Sequence, residues 1–86
     1  MSVPAPDDID RSILDLTAAR GARSSISPSE VAMALLPGGK WQALLPKVRE
    51  RAVALMLDGR VDILRKGKPV ADPEDVRGVI RLRTKG

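Results

Sequence analysis

Apolar residues recur with the 3.6-residue spacing of an α-helix over residues 41–59, the longest patterned stretch in the chain. Residues spaced in this way share one face of the helix, and that face must pack against other elements. The predicted buried stripe consists of Trp41, Leu44, Leu45, Val48, Ala52, Leu55 and Met56. Because Pro46 has no N–H, the regular helix is expected to begin about three or four residues before it and to end at Asp58-Gly59.

A second helix is predicted nearer the N-terminus, over about residues 8–20. Asp7 is its predicted N-cap, and Gly21 can adopt the left-handed conformation that ends a helix. The buried stripe is predicted to contain Ile9, Ile13, Leu16 and Thr17, with Leu14 at its margin. This helix should therefore pack one face against the long helix.

The strongest local signal in the sequence is a capping box between these two helices. Ser27 is the predicted N-cap, Pro28 is the first helical residue, and the Glu30 carboxylate can accept a hydrogen bond from the Ser27 N–H. The helix is predicted to run to about Leu36 and to bury Val31, Ala34 and Leu35. The Gly-containing segment 37–40 then leads into the long helix, an arrangement typical of a helix-turn-helix.

The hydrophobic period changes from 3.6 to 2 after the long helix, which predicts β-strands. The first strand contains Val61 and Ile63 as inward residues, alternating with Asp62 and Leu64. The second strand covers residues 79–83, in which inward Ile80 and Leu82 alternate with outward Arg81 and Arg83. Turn residues 65–69 and a single helical turn that begins at Asp72-Pro73 lie between them, and Ile26 is expected to form a strand of one or two residues.

Together these elements predict one α+β domain over residues 8–83, a winged helix-turn-helix. Three helices precede a two-stranded antiparallel hairpin with a long wing loop. Residues 1–7 are expected to be a flexible lead and residues 84–86 a tail.

Four sequence segments support this fold by resemblance to a known family. They are SPSEVA at 27–32, W-x-A-L-x-P-x-V-R at 41–49, DGRVDI-x-x-KGKPV at 58–70 and RGVIRLR at 77–83. The chain resembles, from Ile9 onward, a bacterial family of small winged-helix proteins catalogued as a domain of unknown function. The resemblance implies the winged-helix fold, and it carries no activity or site residue over to this chain.

Composition argues against an enzyme. The sequence contains no His, Cys or Tyr, which removes the commonest general base, the thiol nucleophile and most metal ligands. Acidic pairs such as Glu74 and Asp75 lie where helix starts favour acids. Residues 37–40 are Gly-rich, but no predicted strand precedes them and the phosphate-loop spacing is absent. We therefore expect no catalytic site, no cofactor and no metal.

The same composition bears on localisation. The absence of cysteine suits a reducing compartment, and no apolar run approaches membrane-spanning length. The N-terminus lacks the apolar segment of a signal peptide. A cytoplasmic protein without a membrane partner is the expectation.

Charge is distributed unevenly along the chain. The formal net charge is +4, with −3 in residues 1–19 and +7 in residues 20–86. A basic C-terminal portion favours a polyanionic partner, and it is also compatible with a merely solvated surface. Duplex DNA is the predicted ligand, because the third helix and the wing of a helix-turn-helix contact DNA grooves and phosphates. The predicted contact residues are Lys40, Gln42, Lys47, Arg49 and Arg51 on the third helix, Arg65, Lys66 and Lys68 in the wing, and Arg81 and Arg83 after it.

A protein partner is the alternative to DNA. The centre of the outward face of the third helix is not basic, and Glu50 within it would repel phosphates. Val53 and Leu57 lie one turn apart on this face and could instead pack against another protein, a second copy of the chain, or the returning tail of the same chain. Trp41 is interpreted as a packing anchor of the small core rather than as a platform for stacked bases.

Overall fold

Residues 4–85 of the computed structural model form an α+β fold in which three helices pack against an antiparallel sheet. The helices are α1 Pro6–Arg20, α2 Pro28–Leu35 and α3 Leu45–Leu57, and the strands are β1 Val61–Arg65, β2 Lys68–Pro69 and β3 Arg81–Thr84. Short 3₁₀ turns occupy Trp41–Leu44 and Pro73–Asp75. Residues 1–3 of the expected lead and residue 86 of the expected tail lie outside the described part of the chain.

The start of α1 differs from the prediction. The N-cap is Ala5 rather than Asp7, and its N–H donates to the Asp8 carboxylate over 3.2 Å. Pro6 explains the earlier start, because its fixed φ suits the first helical position and its missing N–H costs nothing there. The predicted stripe is confirmed: Ile9, Ile13 and Thr17 are buried, and Leu14 and Leu16 are half-buried against the core.

The capping box of α2 is confirmed in every contact. The Glu30 N–H donates to Ser27 Oγ, and the Ser27 N–H donates to the Glu30 carboxylate over 2.7 Å. One prediction for this helix was wrong: Ala34 is exposed, and Ala32 is buried in its place. Because α2 contacts both α1 and α3, its buried arc is centred between Val31 and Ala32, and Ala34 falls outside that arc.

The stripe predicted for the long helix faces the core, and all seven of its residues are buried or half-buried. Trp41 is half-buried and packs against the core, as a packing anchor should. The regular α-helix begins at Leu45, later than predicted, and residues 41–44 wind as a 3₁₀ turn. In a continuous α-helix the Pro46 ring would clash with the carbonyl one turn back, so the regular helix starts only where Pro46 lies in its first turn.

The sheet contains three strands in the order β2-β1-β3, not the two that were predicted. Leu64 pairs with Pro69 and Arg65 pairs with Lys68, so Lys66 and Gly67 alone form the turn of a tight hairpin. Both have positive φ, 54° and 80°, as a type I′ turn requires. The single long wing loop is therefore replaced by this hairpin followed by a return segment, residues 70–80, that leads to β3.

The sheet closes on the helices through β3. Leu82 exchanges two backbone hydrogen bonds with Ile26, 2.8 and 2.7 Å long, which confirms the short strand predicted at Ile26. The inward positions of Ile80 and Leu82 are also confirmed, although β3 begins at Arg81 and Val79 lies outside it. The buried apolar core consists of Ile9, Ile13, Ile26, Val31, Ala32, Leu44, Val48, Ala52, Leu55, Val61, Ile63, Leu64, Ile80 and Leu82.

Candidate nucleic-acid interface

The tip of the β1–β2 hairpin carries three cations. Lys66 occupies the turn, and the hairpin register places Arg65 and Lys68 opposite each other on either side of it. Lys66 and Lys68 are exposed and Arg65 is half-buried. None of the three forms a side-chain hydrogen bond or an ion pair with another residue between 4 and 85. Their positive charges are therefore available to a ligand.

Two more candidate side chains lie at the start of the third helical segment, which consists of the 3₁₀ turn Trp41–Leu44 and α3. Lys40 immediately precedes the 3₁₀ turn and Gln42 lies within it, and both are exposed. Neither has a side-chain partner in the part of the chain that the structure describes. Lys47, one turn further on, forms an ion pair of 3.6 Å with Glu50, and both side chains are largely exposed. Glu50 thus offsets the charge of Lys47.

The two arginines of α3 point to partners within the fold. Arg49 Nη1 donates to the Gly78 carbonyl over 3.0 Å and holds the return segment against the helix. Arg51 donates from Nε and Nη2 to the two carboxylate oxygens of Asp10, each over 2.8 Å, and so joins α3 to α1. These hydrogen bonds to Asp10 raise the pKa of Arg51. Both arginines are part of the tertiary structure.

Arg81 and Arg83 on β3 are also held by neighbouring groups. Arg81 donates from Nε to Ser25 Oγ over 2.9 Å and from Nη2 to the Ser25 carbonyl over 2.8 Å. Arg83 donates to Asp62 over 3.0 Å, and Lys85 reaches the other carboxylate oxygen over 3.3 Å. Desolvation is the largest influence on Asp62 and opposes its ionisation, but the hydrogen bonds and charges of Arg83 and Lys85 together lower its pKa.

The apolar face proposed for a protein partner is only partly free. Val53 is half-buried and packs against the core, so its prediction as exposed apolar surface was wrong. Val70 and Val76 of the return segment are likewise half-buried against the core. Leu57 is 64% exposed, as predicted for a residue on the outward face.

In a comparison with known protein families, a family model matches residues 6–85, which is nearly the whole chain. The matching family is described as Protein of unknown function (DUF3253). The chain belongs to this family. A search of curated proteins found no match. Membership of DUF3253 confirms the resemblance to a domain of unknown function.

Between residues 4 and 85, no helix is both long enough and apolar enough to cross a lipid bilayer. The same residues include no group of three or more acidic side chains placed to hold a metal ion.

The DUF3253 domain also has an open apolar groove that was not predicted from the sequence. This groove lies between the starts of α2 and α3 and the end of the return segment, and Val79 at its rim is 87% exposed. Its lining residues are Pro28, Ser29, Leu45, Pro46, Arg49, Gly78, Val79 and Ile80. The exposure of Val79 could have been predicted from strand alternation, because inward Ile80 and Leu82 require an outward side chain at position 79.

Proposed function

We propose that this chain is a winged-helix domain that binds duplex DNA through two groups of side chains. The hairpin group consists of Arg65, Lys66 and Lys68, and the helix-start group consists of Lys40 and Gln42. The observation that carries the proposal is that these side chains are solvent-accessible and lack partners within residues 4–85, unlike Arg49, Arg51, Arg81 and Arg83.

The order of elements supports the winged-helix part of the proposal. A helix, a short strand at Ile26, two helices and a hairpin follow one another, and Ile26 pairs with β3, which pairs with β1. Helix α2, a turn and the segment from Trp41 onward make the helix-turn-helix unit. The β1–β2 hairpin and the return segment would form the wing, which in such proteins contacts the DNA backbone or a neighbouring groove.

The conformation of Lys66 supports a role for its charge. It is the one non-glycine residue with positive φ between residues 4 and 85, at 54°. This backbone region costs an ordinary L-residue about 1–2 kcal/mol, and type I′ turns prefer Asn followed by Gly. A lysine at this position therefore costs stability. Binding of its ammonium group to a DNA phosphate would explain why a lysine occupies the turn despite that cost.

A protein-interaction or dimerisation module is the second candidate. The exposure of Leu57, 64%, favours it, because this residue ends α3 with a large apolar side chain in water. Leu57→Glu should then abolish association with little change in charge-driven binding. Size-exclusion chromatography with light scattering tests the homodimer version. A monomeric mass at high concentration that Leu57→Glu leaves unchanged removes it.

Binding of a labelled random-sequence duplex at low salt tests the DNA proposal. We expect the unmodified chain to retain the duplex and Lys66→Ala/Lys68→Ala to weaken binding on every sequence. The matched control is Arg11→Ala/Arg60→Ala, which removes the same charge from α1 and from the residue that precedes β1. Both arginines are exposed and unpaired within residues 4–85. Absence of binding at low salt, or equal losses in the two double variants, would refute the proposal.

A further inference from the structure

We infer that the proposed interface holds only the phosphate backbone, so that the domain binds duplex DNA without reading its sequence. This inference rests on the proposed function and goes beyond it, because it assigns no base-reading role to α3. Sequence is read mainly by side chains that reach base edges, whereas phosphate contacts carry no sequence information of their own.

The arginines best suited to read guanine are engaged elsewhere. Arginine reads guanine with a bidentate pair of hydrogen bonds. Arg51 already makes such a pair with Asp10, whose side chain is only 18% exposed, so its release would leave a poorly solvated carboxylate without its partner. Arg49 donates to the Gly78 carbonyl, and it would have to give up that hydrogen bond to reach a base edge. Both arginines are therefore retained by the fold.

The remaining outward side chains of the third helical segment provide few hydrogen-bonding groups that could contact a base edge. Ala43 and Pro46 are exposed and have no hydrogen-bonding side chain. Lys47 is paired with Glu50, and the Glu50 carboxylate repels phosphate and can only accept hydrogen bonds, from a cytosine or adenine amine. Leu57 is apolar. Apart from Glu50, whose charge opposes its approach to DNA, this surface presents no side chain that could distinguish base pairs in a major groove.

Gln42 is the one exposed side chain of the interface with an amide that could read adenine. It lies in the 3₁₀ turn that precedes α3 rather than on the regular helix. A single amide supplies at most one bidentate contact, whereas specific recognition uses several base contacts over a site. The inference therefore assigns Gln42 to the phosphate or sugar, and its replacement is the sharpest test.

The four unpaired cations of the interface set the expected salt dependence. Binding through Lys40, Arg65, Lys66 and Lys68 gives a slope of log K against log salt of about −3 to −4, since each neutralised phosphate contributes about −0.9. If Arg49 and Arg51 joined the interface, the slope would be about −5 or steeper.

The experiment uses the whole chain and a randomised duplex library, with several rounds of selection followed by titration of the recovered sequences. We expect no consensus and affinities within about threefold of random duplex, because phosphate contacts are shared by all sequences. A selected sequence bound about 100-fold more tightly than random duplex, with this advantage lost in Gln42→Ala or Arg49→Lys, would overturn the inference and leave the proposed function standing. Failure to retain any duplex at low salt would instead refute both.

Discussion

Arg51 on α3 and Asp10 on α1 form a bidentate ion pair in which both nitrogen-oxygen distances are 2.8 Å. The two residues are 41 positions apart in the chain, so the pair fixes the relative placement of two helices. It also determines which cations of α3 remain available to a ligand. The side chain that would otherwise be the best base reader on this helix is committed to the fold.

The Arg51–Asp10 pair should be measurable as a thermodynamic coupling. Arg51→Met and Asp10→Asn should each lower the urea midpoint, and the double variant should lose no more than the more harmful single change, because both remove the same interaction. Arg51→Lys should recover only part of the loss, since lysine cannot make the bidentate contact. Strictly additive losses in the double variant would show that the two side chains do not interact.

The ionisation of Asp62 should make the free energy of unfolding depend on pH in the acid range. Its ordinary pKa is 3.8, and the hydrogen bonds from Arg83 and Lys85 lower it in the folded state. A carboxylate with a lowered pKa contributes stability in full above its unfolded pKa, and the contribution disappears as the pH falls through the lower folded-state value. Asp62→Asn should therefore cost about 1–2 kcal/mol at neutral pH and much less at the acid end.

Urea unfolding of the unmodified chain and of Asp62→Asn between neutral pH and about pH 2 measures this difference. The charge control is Asp15→Asn, because Asp15 is exposed and lacks an ion-pair partner within residues 4–85. If the difference in the free energy of unfolding between the unmodified chain and Asp62→Asn stayed constant across that pH range, this role of Asp62 would be contradicted.

Leu82 and Val79 form a matched pair that tests the position of the core. Leu82 is fully buried, whereas Val79 is 87% exposed only three residues earlier. Leu82→Ala should lower the free energy of unfolding by about 2–5 kcal/mol, because it removes buried methyl groups and leaves a cavity. Val79→Ala should change it by less than about 0.5 kcal/mol. Equal effects of the two substitutions in chemical denaturation would be incompatible with the arrangement of β3.

The hydrophobic pattern was sufficient for the helices and for two of the strands. The stripe led by Trp41 and the capping box at Ser27 depend on local spacing, and the sequence displays local spacing directly. The exposed Ala34 was mispredicted because the face that α2 buries depends on its neighbours α1 and α3. Strand β2 was missed because Lys68-Pro69 is only two residues long and shows no alternating pattern. The positive φ at Lys66 and Gly67, which the sequence does not display, makes it a hairpin partner of β1.

Less of the candidate site than of the fold could be predicted from the sequence. Helical periodicity placed Arg49 and Arg51 on the flanks of the long helix, but it gave no information about Gly78 and Asp10, which bind them. The same holds for Arg81 and its partner Ser25, which are 56 positions apart. Which basic residues remain unpaired is a property of the tertiary structure, and it decides which of them a polyanion can meet.

The most direct measurement uses Lys66→Asn, since this change should move stability and DNA affinity in opposite directions. Asparagine adopts positive φ more readily than lysine, so the variant should unfold at higher urea and gain about 0.5 kcal/mol. The loss of one phosphate contact should weaken binding of random duplex by about fivefold to tenfold near 0.1 M salt and reduce the slope by about 0.9. A stabilised variant that binds duplex as tightly as the unmodified chain, or an unmodified chain that binds none, would contradict the role given to the hairpin tip.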